Sequence, residues 1–189
     1  MPKKVDPEER RRLIAEALMR VAAEQGLESV SLRHVAARAG VSAGMVQHYF
    51  QTRDEMMAFA LSVVRERSQV RVTEAVAGLG EHPPPRLLLR TMIEALLPLD
   101  EASRDNGRVA LAFLAYTAVR PAAAAELHED TARLVAFVAN MLAVPDPVGA
   151  ASGLLALMEG LGIYLLGGQY TAEQALRALD AHLDLLLPS

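Results

Sequence analysis

SLRHVAARAGVSAGMVQHYF, residues 31–50, reads as two short helices joined by a glycine turn. Ser31 is placed to cap a helix whose apolar positions, Leu32, Val35, Ala36 and Ala39, recur at helical spacing. Gly40 supplies the left-handed residue that ends it. Ser42 caps the next helix at once. Val30 with Val35, and Val41 with Val46, stand in the relation of a hydrophobic staple to these two caps and fix the angle at which the chain enters each helix. So tight a connection, with small Ala36 at the crossing, lets the second helix cross the first, which is how a helix-turn-helix presents a helix to the major groove of DNA.

On the second helix Val46 and Phe50 fall on one side and pack inward, leaving Ala43, Gly44, Gln47 and His48 for the outer face. Ala43 and Gly44 are small enough for the helix start to approach phosphates, where backbone amides and the helix dipole attract an anion. Gln47 and His48 can hydrogen-bond to bases or backbone. Gly40–Gly44, GVSAG, also fits the G-x-S-x-G pattern of a hydrolase nucleophile. That elbow needs a strand before its serine, and here a helix precedes it.

Outward from this stretch, the 189 residues are 52% hydrophobic but only 4% aromatic and lack Trp. A core of Leu, Ala, Val and Met favours helices over strands, and no strand pattern competes, so the expectation is an all-α protein. Cys is absent, which excludes disulfides and thiolate metal sites and fits a cytoplasmic setting. The charged start MPKKVDPEERRR carries no secretory h-region. Gly153 to Gly168 is greasy but interrupted by Glu159 and rich in Gly, too short and broken for a membrane span, so no membrane partner is expected. The net charge of −4 hides an asymmetry: residues 1–53 hold nine Lys and Arg against six Asp and Glu, the remainder ten against seventeen. A basic head on an acidic body suggests a DNA-binding domain at 1–53 and a second module at 54–189.

Along the chain, Met1–Val5 is a short basic arm. Asp6, Pro7 and Glu9 open a first helix that Gly26 ends. Thr52 and Glu55 form a capping box for a long helix from about Arg53 to Leu79, with Arg53 at the flank of the reading head, where a phosphate would lie. Further helices are predicted at about 85–97, 101–119, 122–142, 147–166 and 172–187, bounded by Pro, Gly or Asp.

No catalytic constellation is present. The acids around His128 in ELHED do not share one helix face with it, so a solvated acidic patch is expected there, with no metal and no cofactor. Glu159, alone among apolar residues, is either a buried acid paired with an Arg or a ligand for a polar or cationic effector. Excess apolar surface on the last two helices favours a partner subunit. A homodimer would use Leu154, Leu157, Leu161, Leu176, Leu179 and Leu183, with Ala150, Gly153 and Gly160 permitting close approach.

From Arg11 to Ala58 the ordered combination of capped helix, glycine turn, aromatic pair and following capped basic position closely resembles the reading head of TetR-family transcriptional regulators. The body, through LLPLDEASRDNGRVALAFLAYTAV and the MEG at Met158–Gly160, is similar to the choline-responsive branch of that family. The resemblance implies nine helices, a homodimer through the last two, and release of DNA when a small molecule enters the body. Where many members place Lys and Tyr, this chain has Ala43 and Gln47, so Gln47 becomes a candidate reader of adenine. The expectation is a repressor on an inverted-repeat duplex operator. Arg33, Gln47 and His48 would lie at base edges and Ser42, Tyr49 and Arg53 at phosphates, with Ala43 and Gly44 beside them. A pocket is expected near Met92, Phe113, Tyr116, Phe137, Met141, Met158 and Glu159. A constitutive DNA-binding protein without effector is the alternative, though it gives no reason for so large a body.

Overall fold

Helix signals in the sequence become helices at almost every point. The structure, a computed structural model, describes residues 6–187, with no account of the side chains of Ala102, Pro121, Ala122, Ala123 and Glu126; the basic arm Met1–Val5 lies outside the described residues. The described residues form nine α-helices and no strand. These are α1 (Pro7–Gln25), α2 (Leu32–Ala39), α3 (Ala43–Tyr49), α4 (Arg53–Val76), α5 (Pro85–Leu96), α6 (Glu101–Ala118), α7 (Pro121–Ala139), α8 (Pro147–Leu166) and α9 (Ala172–Leu186). The all-α expectation holds.

The chain divides into two compact units. The first comprises the residues up to Arg67 together with Arg108–Val119, the second Ser68–Gly107 with Arg120 to the C-terminus. The boundary expected after residue 53 is therefore displaced, because the first half of α4 and the second half of α6 pack with the reading head.

In the first unit, Ile14, Leu18 and Val21 of α1 are fully buried with Val35, Val46, Phe50, Met56 and Met57. Arg11 lies over two rings of this core, its guanidinium 4.8 Å from the Phe50 centroid and 4.6 Å from that of Phe59. The start of α4 is tied down by Arg53, whose Nε donates to the Val30 carbonyl at 2.9 Å and whose Nη2 donates to that of Leu27 at 2.7 Å. Beside it, Tyr116 donates its hydroxyl proton to Asp54 Oδ1 at 2.8 Å. The cap of α4 differs by one residue from the expected box: Thr52 Oγ1 accepts from Glu55 N, while Glu55 reaches back to Gln51 N instead of Thr52.

The second unit is built around Leu89 and Ile93 of α5, Val138 of α7, Ala151, Leu154, Leu161 and Leu165 of α8, and Ala175, Leu179 and Leu183 of α9. Ion pairs clamp α5 to α9, with Arg86 2.7 Å from Asp184 and Arg90 2.8 Å from Asp180. The hydrogen bond that Arg90 donates to Asp180 is the main cause that raises the Arg90 pKa above its ordinary value. Four of the leucines expected at a dimer interface, Leu154, Leu161, Leu179 and Leu183, are thus core residues of the single chain; at 2% exposure or less they have no area left to bury against a partner.

α8 forms where the sequence placed a helix, at 147–166. It runs unbroken for 20 residues and is, among the described residues, the one helix long and apolar enough by length and composition to cross a membrane. Gly153 and Gly160 do not break it, because i to i−4 hydrogen bonding needs no side chain. Glu159 stands on its exposed side and forms no ion pair among the described residues, so the arginine pair, one of its two alternatives, is not found. Partial desolvation of its carboxyl still raises the pKa.

Two outcomes follow from these contacts. Arg53→Ala should destabilise the chain by about 1–3 kcal/mol, as expected for hydrogen bonds from a charged donor, and urea unfolding in the absence of DNA measures it. Glu159 has a folded pKa above its unfolded one, so the native state binds the extra proton and stability falls as pH rises through the folded pKa. Glu159→Gln should raise the melting temperature at neutral pH, and its advantage should shrink as pH falls below that folded pKa.

Candidate nucleic-acid interface

The outer surface of the first unit is set by its caps. Ser31 Oγ accepts from His34 N at 3.2 Å to start α2, and Gly40, at φ 68° and ψ 31°, ends that helix in the left-handed conformation. A residue with Cβ is strained in this conformation, and the reversal depends on it. One residue separates Gly40 from Ser42, whose Oγ accepts from Met45 N at 3.1 Å and starts α3. The first turn of α3 is therefore partly satisfied from within, which limits the backbone amides left for an anion.

Val46 and Phe50 have no exposed surface. At about 100° per residue, His48 stands opposite this buried pair, flanked by Gly44 and Met45. Gln47 and Tyr49 lie toward the two sides. Ser42, Ala43, Gly44, Met45, Gln47 and His48 are exposed, Tyr49 is half-buried, and the His48 and Tyr49 rings meet edge to face with centroids 5.1 Å apart. Arg33, on the first turn of α2, is exposed and forms no ion pair among the described residues. Seven of the eight residues expected at DNA thus lie in one helix-turn-helix. The eighth differs: Arg53 spends its guanidinium on the carbonyls of Leu27 and Val30, and its role is to fasten α4 to the head.

Gly44 has no internal reason to be glycine. Its φ is not positive, and a Cβ built there would meet only Ser42 Oγ at 4.0 Å. The open space faces away from the protein, beside His48. Met45, which the sequence reading passed over, is 37% exposed on the same arc. A helical wheel centred on Val46 and Phe50 is the signal that would have found it.

The residues expected to line a pocket are divided between the two units. Phe113 and Tyr116 are buried in the first unit, at 3% and 7% exposure. The other five belong to the second. There Met141 and Met158 pack against the core and Met92 is half-buried, whereas Phe137, at 45% exposure, and Glu159 stand on the surface. In ELHED, Glu129 and Asp130 pair with Arg133 on their own helix, the arrangement of a solvated face.

Residues 14–58 match the family model for bacterial regulatory proteins of the tetR family, and residues 85–188 match that for the C-terminal part of BetI-type transcriptional repressors. The transcriptional regulator BetI of Burkholderia cenocepacia (strain HI2424) is 32% identical over the full length of both chains. A transcriptional regulator from Rhodococcus sp. Rha1 superposes with a TM-score of 0.84 at 36% identity, covering 97% of this chain and 96% of that one. A regulator from Saccharomonospora viridis, solved in complex with choline, shares the fold with a TM-score of 0.80 at 23% identity over 94% and 96% of the two chains. These relatives are transcriptional regulators, not enzymes, and with a helix-turn-helix head joined to a BetI-type body the chain belongs to the TetR family of transcriptional regulators.

Proposed function

We propose that this regulator is a repressor that binds an inverted-repeat duplex as a homodimer and is released from it by a small-molecule effector. The observation that carries the DNA half is Gly44. Glycine in a helix costs up to about 1 kcal/mol relative to Ala, and nothing inside the chain uses the space it leaves. The outer arc of α3 is the face that space opens on, so the backbone there can come close to a phosphate while Arg33, Gln47 and His48 reach toward bases. A chain acting on bacterial DNA in this way works in the cytoplasm.

The same reasoning supports the dimer and changes its residues. A Cβ at Gly153 or Gly160 would meet nothing within 4 Å, so neither glycine serves packing inside the chain. They belong to a side of α8 that also exposes Val148, Ser152, Ala156 and Ile163, while α9 exposes Ala181 and Leu185. Val148 is 59% exposed, Ile163 45% and Leu185 77%. An apolar helix face edged with small residues fits the matching face of a second copy, and a twofold axis would then set the distance between two reading heads. This reading assigns the apolar outer side of α8 to protein rather than lipid.

Effector control is supported by the BetI-type match over residues 85–188 and by the choline held in the Saccharomonospora viridis protein of the same fold. The half-buried Met92, Met141 and Met158 of the second unit are the side chains best suited to line an adaptable cavity there. An effector that favours the conformation with wrongly spaced heads must weaken DNA binding by the same factor by which DNA weakens effector binding.

Gly44→Ala tests the DNA reading. The variant should be as stable as the parent or more stable, by up to about 1 kcal/mol, yet bind its selected duplex about tenfold more weakly, the size of one lost charge-assisted hydrogen bond. Unchanged affinity in a fluorescence-anisotropy titration would remove α3 from the interface. For the dimer, Ile163→Glu should leave the circular dichroism spectrum intact and convert the chain to a monomer in sedimentation. Persistence of the dimer would place the interface elsewhere. A panel of quaternary ammonium and other small metabolites, choline included, read by loss of duplex binding, addresses the effector.

A further inference from the structure

Met45 is a large apolar side chain on the arc of α3 directed away from the core, 37% exposed, between Gly44 and His48. A single exposed methionine on a protein surface is unremarkable by itself. Its position gives this one a use. Helical side chains tilt toward the helix N-terminus, so that of Met45, third in α3, projects over the first turn, the part of a recognition helix that reaches base edges. Gly44 beside it contributes no side chain, and a Cβ there would stand 4.0 Å from Ser42 Oγ with nothing nearer, leaving a clear approach to Met45 from outside. The side chain is unbranched, with three rotatable bonds, and carries no hydrogen-bond donor.

Of the groups that base pairs present in the major groove, all are hydrogen-bond donors or acceptors except one, the 5-methyl of thymine. We infer that Met45 reads a thymine in each half-site of the operator by packing against its 5-methyl group. This rests on the proposed DNA reading and deepens it. Arg33, Gln47 and His48 can reach donors and acceptors, and Met45 adds the apolar element of a mixed code on the same face. The preference needs no new hydrogen bond. It comes from removing one methyl group and part of a methionine from water, which the burial of a single methyl converts to roughly a three- to fivefold preference for thymine over uracil.

The test uses the full-length wild-type chain. A duplex is first selected from a randomised library, and each thymine in it is then replaced singly by deoxyuridine, which removes the 5-methyl and leaves the Watson–Crick pairing unchanged. Wild type should lose about three- to fivefold in affinity at one thymine per half-site and little at the others. Met45→Gln, close in size but polar, should bind the thymine and uracil duplexes equally. Met45→Leu should keep the preference, which separates apolar contact from any effect on the folding of α3. A duplex retained by wild type but insensitive to uracil at every position overturns the role of Met45 and leaves DNA binding standing, as does a preference that survives in Met45→Gln. Failure of wild type to retain any duplex overturns both readings.

Discussion

Burial of Val46 and Phe50 beneath α3 is the constraint on which the function of this chain depends. With both side chains at zero exposure, α3 has one possible rotation about its axis, and that rotation decides which residues face outward. The pocket that receives Phe50 is closed by Phe59 from α4, with ring centroids 5.6 Å apart, and by the Arg11 guanidinium above both rings. Arg53 fastens α4 to the same unit by donating to the carbonyls of Leu27 and Val30, which follow the end of α1. Two arginines that simple charge counting would assign to DNA are thus part of the scaffold. Within the helix-turn-helix itself Arg38 pairs with Glu24, whereas Arg33 forms no ion pair among the described residues.

The division of labour also explains why the first unit extends past the head. α4 supplies Met56, Met57, Ala60 and Val63 to the buried set around α1, and α6 supplies Phe113 and Tyr116. The three-helix head has few large side chains of its own, so the small core that holds α3 is completed by residues distant in sequence. A fold of this kind makes the orientation of the reading helix sensitive to the helices on which the head rests.

In the second unit the same apolar composition is split between two sides of α8. Ala151, Leu154, Leu155, Leu161 and Leu165 turn inward to α5, α7 and α9, while Val148, Gly153, Ala156, Gly160 and Ile163 lie toward the other side. Glu159 on that outer side interrupts an otherwise apolar surface, and partial desolvation of its carboxyl raises its pKa. The ion pairs of Arg86 and Arg90 with Asp184 and Asp180 hold α9 against α5 without drawing on that face.

The sequence by itself determined the nine helices, because caps, prolines and glycines are local: Asp6, Ser31, Ser42 and Thr171 each accept a hydrogen bond from the first turn of the helix they precede. It also determined the helix-turn-helix and the exposure of Ala43, Gly44, Gln47 and His48, since Gly40 and the spacing of Val46 and Phe50 act within twenty residues. Only the tertiary structure decided which side of an all-round apolar helix faces the core. Periodicity cannot orient α8, because leucine, glycine and alanine surround its axis, and so Leu154 and Leu161, read as interface, belong to the core; on α9 the apolar stripe with Leu179 and Leu183 is read correctly as a stripe, but it closes the core of the single chain. The partner of a long charged side chain was equally out of reach. Arg53 finds its acceptors 23 and 26 residues back along the chain, at carbonyls that converge only when α1 and α4 pack together.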